Sequence, residues 1–240
     1  MPDPISAPQA QADIADPPAA SRRSSDRFAE RLRGFGPVGI LTTLVVLLAI
    51  TPWISALLVL LWVHWSRTPW SEIGYRRPVS WVASTLAGIG IGIAFKLMMK
   101  AVVMPLLGAD PINHAYHYLV GNRAALPGML FAVIVGAGFG EETVFRGFLF
   151  ARLRRLLGRG LAATAAIVLL TSALFSAAHY PGQGLAGMEQ AAVTGLVIGS
   201  IFAVTGRIWM LMVMHVAFDL TAVAIIYWNL ESNVAHWIFN

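Results

Sequence analysis

Apolar residues fall in long unbroken runs along this chain, and polar residues gather in the short gaps between them. The runs cover 36–66, 80–104, 128–150, 161–180, 188–206 and 208–229. A buried strand needs only about 4–8 residues, so runs of this length read as helices. A helix rises about 1.5 Å per residue and a bilayer core is about 30 Å thick, so each later run fits one span. The first run differs: over its 31 residues a helix would extend roughly 46 Å, too long for one untilted span. Pro52 stands in its middle, where it removes a backbone donor and crowds the preceding turn. A break near Thr51–Pro52 is therefore expected, giving a hairpin of two short helices. The pattern predicts an all-α, polytopic transmembrane bundle of about seven helices, within a range of six to eight.

Charge favours the hairpin. The arginine groups at 22–33, 67–77, 146–159 and 207 should all face the cytoplasm, because basic loops stay inside. A hairpin over 36–66 puts all four on one side, with the N-terminus cytoplasmic. A single first span would split them. The loop 105–127, with His114 and His117, is then outside. Trp65, Trp70, Trp81, Trp209 and Trp228 stand near expected span ends, where an amphipathic ring prefers the interface. Residues 1–34 are rich in Pro, Ala, Ser, Asp and Arg, and are expected to be a disordered, basic, cytoplasmic tail before a membrane domain over 35–240. They are too long and polar for a cleaved signal peptide, so the first apolar segment is expected to be an uncleaved anchor.

Composition strengthens the membrane reading. The chain is 57% hydrophobic and only 12% charged, and its mean hydropathy is +0.68. A soluble domain carries about 25% charge, so the surplus apolar surface must face lipid. With no cysteine, disulfides, thiolate metal sites, a cysteine nucleophile and lipidation on cysteine are excluded. The net charge of +5 and pI near 10.1 suit anionic headgroups, because the arginines flank apolar segments; no nucleic-acid partner is expected. The inner membrane of a bacterium is the expected location. Gly88-Ile-Gly-Ile-Gly92 lies inside an apolar run with no preceding strand, so close helix packing explains it better than a nucleotide loop. Gly195-x-x-x-Gly199 reads the same way.

Against this background a few ionisable residues stand out, because charge at membrane depth costs several kcal/mol and needs a reason. Glu141 and Glu142 end the run Met129–Gly140, and Arg146 follows Glu142 at i+4, where the two can pair. Glu141 points about 100° away and is free for other work. His179 closes a second apolar helix, with Phe175 one turn before it on the same face. His215 and Asp219 share a face of the last helix. Singly, each has a bland explanation: an ion pair at a helix end, an interfacial histidine, a local hydrogen bond. Three separate helices bringing such groups into one bundle favour a shared polar site. The spans impose a condition on that site. They put His179 near an outer end and Glu141 and His215 in inner halves, so the groups meet only if a span is misplaced or 175–187 dips into the bilayer. Pro181-Gly-Gln-Gly184 allows such a dip. Lys96 and Lys100 are expected to snorkel, and His114 and His117 are given no role.

Glu141-Glu142-x-x-x-Arg146, Phe175-x-x-x-His179 and His215-x-x-x-Asp219 together resemble, in order and spacing, the signatures of the CPBP family. These are the CAAX-type and bacteriocin-processing (Abi) intramembrane glutamate endopeptidases. Thr205-Gly206-Arg207-Ile208-Trp209 also looks like the family's approach to the third motif, and the resemblance spans about 125–225. It implies hydrolysis of a membrane-associated protein or peptide without a covalent intermediate and without a cofactor. Glu141 would be the base that activates water, His179 would help hold that water, and His215 with the residue at 219 would stabilise the oxyanion. Glu142, Arg146 and Phe175 would support them. The family often has Asn where this chain has Asp219. An ionised Asp cannot donate to an oxyanion, so Asp219 must be protonated or must orient His215. Other readings of the same residues stay open. A divalent metal could use Glu141, His179, His215 and Asp219, although no His-Glu-x-x-His is present and the metal is not favoured. A proton-coupled transporter or a non-catalytic membrane scaffold could also use them.

Overall fold

Prolines and caps mark where the helices begin. The computed structural model describes residues 19–47, 49 and 51–239. Pro37 opens α2 (Pro37–Leu47), and Pro52 opens α3 (Pro52–Ser66) behind an extended Thr51. The break expected at Thr51–Pro52 is therefore present. The Ser80 side chain accepts from the Ala83 amide at 3.2 Å and caps α4 (Trp81–Leu106). Then follow α5 (Arg123–Leu157), α6 (Leu161–Thr205), α7 (Trp209–Tyr227) and the short α8 (Glu231–Ala235). There are no strands among the described residues. Among the described residues, four helices, α4 to α7, are long and apolar enough to cross a membrane.

Two places correct the expected boundaries. Ala19–Arg33 forms a helix, α1, so the disordered tail expected over 1–34 does not extend that far. Ala29 and Leu32 are buried, and the Trp62 indole donates to the Leu32 carbonyl at 3.1 Å. A short amphipathic stretch gains order from the membrane helix beside it. The disorder expected for residues 1–18 lies outside the described residues. The second is in α6, where the two legs expected over 161–180 and 188–206 are both present but run on until they meet at Gly184. Gly184, at φ +64°, breaks the helix in two. Ser176 donates to the Met188 carbonyl at 2.7 Å, and Gly195 lies against Ser172, so the second leg runs back along the first. Counting both legs with α2 and α3, the described residues form the seven apolar legs expected.

Close backbone approach holds α4 on α7. A Cβ on Gly92 would stand 2.3 Å from the Met214 carbonyl oxygen and 3.0 Å from the Phe218 amide. Gly88 meets Met210 in the same way, which is the packing role expected for this glycine run. Backbone cannot move aside as a side chain can. Gly92→Ala is therefore expected to destabilise the protein by about 3 kcal/mol, the upper end of ordinary overpacking. Thermal unfolding in detergent measures this, and an unchanged midpoint would show that the helices can slide apart freely.

Candidate active site

The site begins with one imidazole held at both ends. The middle of α5 is wound as a wider π-helix over Ala132–Leu149, and this stretch carries Glu141, Glu142 and Arg146. Such windings are rare and are frequent at functional sites. Gly140, just before the glutamates, lies against the backbone of Pro52 and Trp53, so the apex of the α2–α3 hairpin reaches the site. Glu142 is fully buried, and its Oε1 accepts from Arg146 Nη1 at 2.9 Å and from His215 Nδ1 at 2.7 Å. The i, i+4 pair read from the sequence is thus one half of a bridge to α7. Because a carboxylate can only accept, the proton on His215 Nδ1 is fixed by this bond. The other ring nitrogen, Nε2, lies 3.9 Å from Glu141 Oε2 and 3.7 Å from Asp219 Oδ2. Those separations are too long for direct hydrogen bonds and leave place for a small polar group between them.

Phe175 joins the remaining pieces. Its ring centroid is 4.5 Å from the His179 ring, 6.1 Å from His215 and 5.1 Å from Phe145, and the Arg146 guanidinium lies 4.6 Å above it. Cation over ring is an attractive arrangement that also keeps Arg146 dry. His179 Nδ1 donates to the Phe175 carbonyl at 2.8 Å, one turn back. That bond leaves Nε2 of His179 as the free ring nitrogen. The groups that the expected span edges kept apart do meet in one cavity. The first leg of α6 turns back at Gly184, and Phe175 and His179 face the same space as α5 and α7.

That space is a cavity of about 380 Å³, lined by Glu141, Phe175, His179, His215 and Asp219 among others. Glu141 and Asp219 keep 17% and 27% of their side chains exposed in it, whereas Glu142 keeps none. The structure therefore separates the paired glutamates. Glu142 belongs to the packing and Glu141 to the cavity, where its Oε2 has no hydrogen-bond partner. The two carboxylates address opposite nitrogens of one ring, which a simple 100° separation does not foretell. Glu142 thus holds the Nδ1 end of His215, and Asp219 approaches its Nε2 end. Among the described residues, no group of three or more His, Asp and Glu side chains is arranged to hold a metal ion.

Several lining residues escaped the sequence reading. Lys96 and Lys100 do not snorkel. Lys96 is buried, with its Nζ donating to Gln190 Oε1 at 2.8 Å and lying 4.8 Å above the Phe218 ring. Lys100 bonds to the Pro111 carbonyl and lies 3.4 Å from the buried Glu231. His117 approaches the same glutamate at 3.6 Å. Tyr116, from the loop after α4, lines the cavity and accepts from Gln183 Nε2 at 3.1 Å. Burial, and then the carboxylates of Asp219 and Glu141, push the Tyr116 phenol above its usual range, so it stays a neutral donor beside the acids. The signal for Gln183 was its place in the Pro181–Gly184 turn; Tyr116 had none.

Below the site, Tyr75 OH and Thr143 Oγ1 share a 2.7 Å hydrogen bond that pins the loop before α4 to α5. Burial pushes the Tyr75 phenol up, partly offset by this bond, so it too stays neutral. Tyr75→Phe leaves the buried Thr143 hydroxyl without this partner and is expected to lower stability by about 1–2 kcal/mol. An unfolding midpoint equal to that of the wild type would show that the loop is held without it.

Residues 123–221 match the family model described as type II CAAX prenyl endopeptidase Rce1-like. No curated protein and no solved structure matches the chain. The matched segment contains every residue of the three motifs.

Proposed function

From the match of residues 123–221 to a CAAX-type endopeptidase family model, in a chain with four helices long and apolar enough to cross a membrane, we propose that this chain is an intramembrane glutamate endopeptidase. Its substrate would be a membrane-associated protein or peptide. The observation that carries the reading is the pair of half-open acids, Glu141 and Asp219, facing His215 Nε2 across a cavity among apolar helices.

The chemistry follows from what each group has left to offer. Glu141 has a buried, unpartnered oxygen facing the cavity and is the base. It takes a proton from water, and the hydroxide attacks the carbonyl carbon of the scissile peptide bond. His179, its Nδ1 already committed to Phe175, holds that water through Nε2. The carbonyl oxygen becomes an oxyanion near His215 Nε2, which donates to it while Glu142 fixes the other end of the ring. The C–N bond then breaks, and the leaving amine takes the proton from Glu141. Asp219 in its protonated form adds a second donor at the oxyanion. No bond to the enzyme forms. The proposed setting is the inner membrane of a bacterium, with the N-terminus cytoplasmic.

The test uses the purified chain in liposomes with a set of membrane-associated peptides, read by mass spectrometry of products. Cleavage that continues in a chelator and disappears in Glu141→Gln supports the reading. Cleavage lost in the chelator and restored by a divalent ion would replace it with metal hydrolysis. Products equally abundant with the variant would overturn the role of Glu141.

A further inference from the structure

A second cavity lies on the arginine-rich side of the bundle, away from the acids. It has a volume of about 230 Å³ and is walled by Arg33, Arg76, Arg152, Arg154, Arg155 and Arg159, with Glu72 as the one acid in its lining. Four parts of the fold supply it: the end of α1, the loop after α3, the last turns of α5, and the turn before α6. Nothing in the proposed hydrolysis uses it.

Four of these six cations have no hydrogen-bond or ion-pair partner among the described residues. Arg152 is 3% exposed and has a structural task. Its Nη1 donates to the Arg33 carbonyl at 2.6 Å and its Nη2 to the Gly34 carbonyl at 2.8 Å, so it satisfies carbonyls left open where α1 ends. It also lies 4.3 Å above the Phe35 ring. Its Nε nonetheless remains buried without an acceptor, and so do the Nε atoms of Arg33 and Arg154. Arg76 Nε donates to the Ser71 carbonyl at 3.0 Å. Among the described residues, the side chains of Arg33, Arg154, Arg155 and Arg159 make no hydrogen bond and no ion pair. Arg154 lies 5.6 Å above the Phe150 ring and also feels the like charges of Arg159 and Arg76.

Six guanidinium groups around one small space repel one another, and buried donors without acceptors are costly. A single tetrahedral oxyanion answers both problems. Phosphate oxygens match the planar fork of arginine two at a time, and several arginines can share one phosphate. The cavity is lined by residues at the end of a candidate span, and Leu156, Leu157 and Leu161, chain neighbours of the lining Arg155 and Arg159, are exposed, with Leu161 at 89%. An acyl chain would lie along those leucines while its headgroup entered the cavity. We infer that this arginine cavity is a binding site for a phosphate-bearing group, supplied by an anionic phospholipid or by free phosphate.

The test uses the full chain in nanodiscs, with thermal unfolding as the readout, so its result does not depend on proteolysis. The probes are nanodiscs of phosphatidylcholine alone, nanodiscs with part phosphatidylglycerol, and the former with inorganic phosphate added. Phosphatidylglycerol is expected to raise the midpoint of the wild type by about 2–4 °C. The paired substitutions Arg154→Gln and Arg155→Gln, which spare the structural Arg152, should remove at least half of that rise. Arg207→Gln, a change to an arginine outside the cavity, should keep it. A rise with inorganic phosphate assigns the site to free phosphate; a rise with phosphatidylglycerol alone assigns it to lipid. No rise with either probe would overturn the inference. So would a full rise in the paired variant, or an equal loss in Arg207→Gln, since either makes the effect one of general charge.

Discussion

A Glu141→Gln protein folds, inserts, and cuts its substrate at least 10²–10⁴-fold more slowly than the wild type, the span expected for removing a general base. Its stability is expected to be unchanged or slightly raised. The reason lies in how Glu141 sits. Its Oε2 is buried without a hydrogen bond, and His215 Nε2 stays 3.9 Å away. A carboxylate held so poorly is a burden on the fold, and the neutral amide carries less of it. Activity and melting temperature should therefore part company. Steady-state cleavage of a defined membrane peptide and thermal unfolding of the same preparation measure the two. A variant that loses activity only because it unfolds early would contradict this.

Glu142→Ala is expected to do the reverse to stability, although the two residues are neighbours in sequence. Glu142 Oε1 serves Arg146 and His215 together, and Arg146 is only 2% exposed, out of reach of bulk solvent. Breaking a buried pair by deleting one partner costs about 3–5 kcal/mol, because the remaining charge stays buried. Cleavage should fall as well, since the proton position on His215 is no longer fixed. Denaturation in detergent would show the loss as an early transition. Wild-type stability in Glu142→Ala would mean that Arg146 finds another partner and that Glu142 is not the keystone of the site.

The contrast between these neighbours shows what is legible in a sequence of this kind. Local periodicity transfers well. The break at Pro52 and the pairing of Glu142 with Arg146 follow from residues within a turn or two of each other. The all-helical bundle follows from run lengths. Features that depend on distant partners do not transfer. A lysine that snorkels and one that is buried have the same local pattern, and Lys96 is settled by Gln190, 94 positions away. The order in α1 depends on Trp62, 30 positions from Leu32. The two legs over 161–180 and 188–206 were legible, but the exact point where they meet, Gly184, and the contacts of Ser172 and Ser176 with the second leg were not. Nor does helical spacing distinguish a glutamate that holds a histidine from one that faces a cavity. Both are acids in an apolar run, and only the place of His215 between them separates their tasks.

The central claim is that Glu141 lets this chain hydrolyse peptide bonds within the membrane. The most direct measurement labels new peptide termini in membranes from cells carrying either the wild-type protein or Glu141→Ala at equal abundance. Termini that appear with the wild type and not with the variant are predicted, and their sequences would name the substrate class. The same set of termini from both, with both proteins folded and several growth conditions sampled, would contradict the claim and leave a membrane protein whose buried acids serve binding or transport.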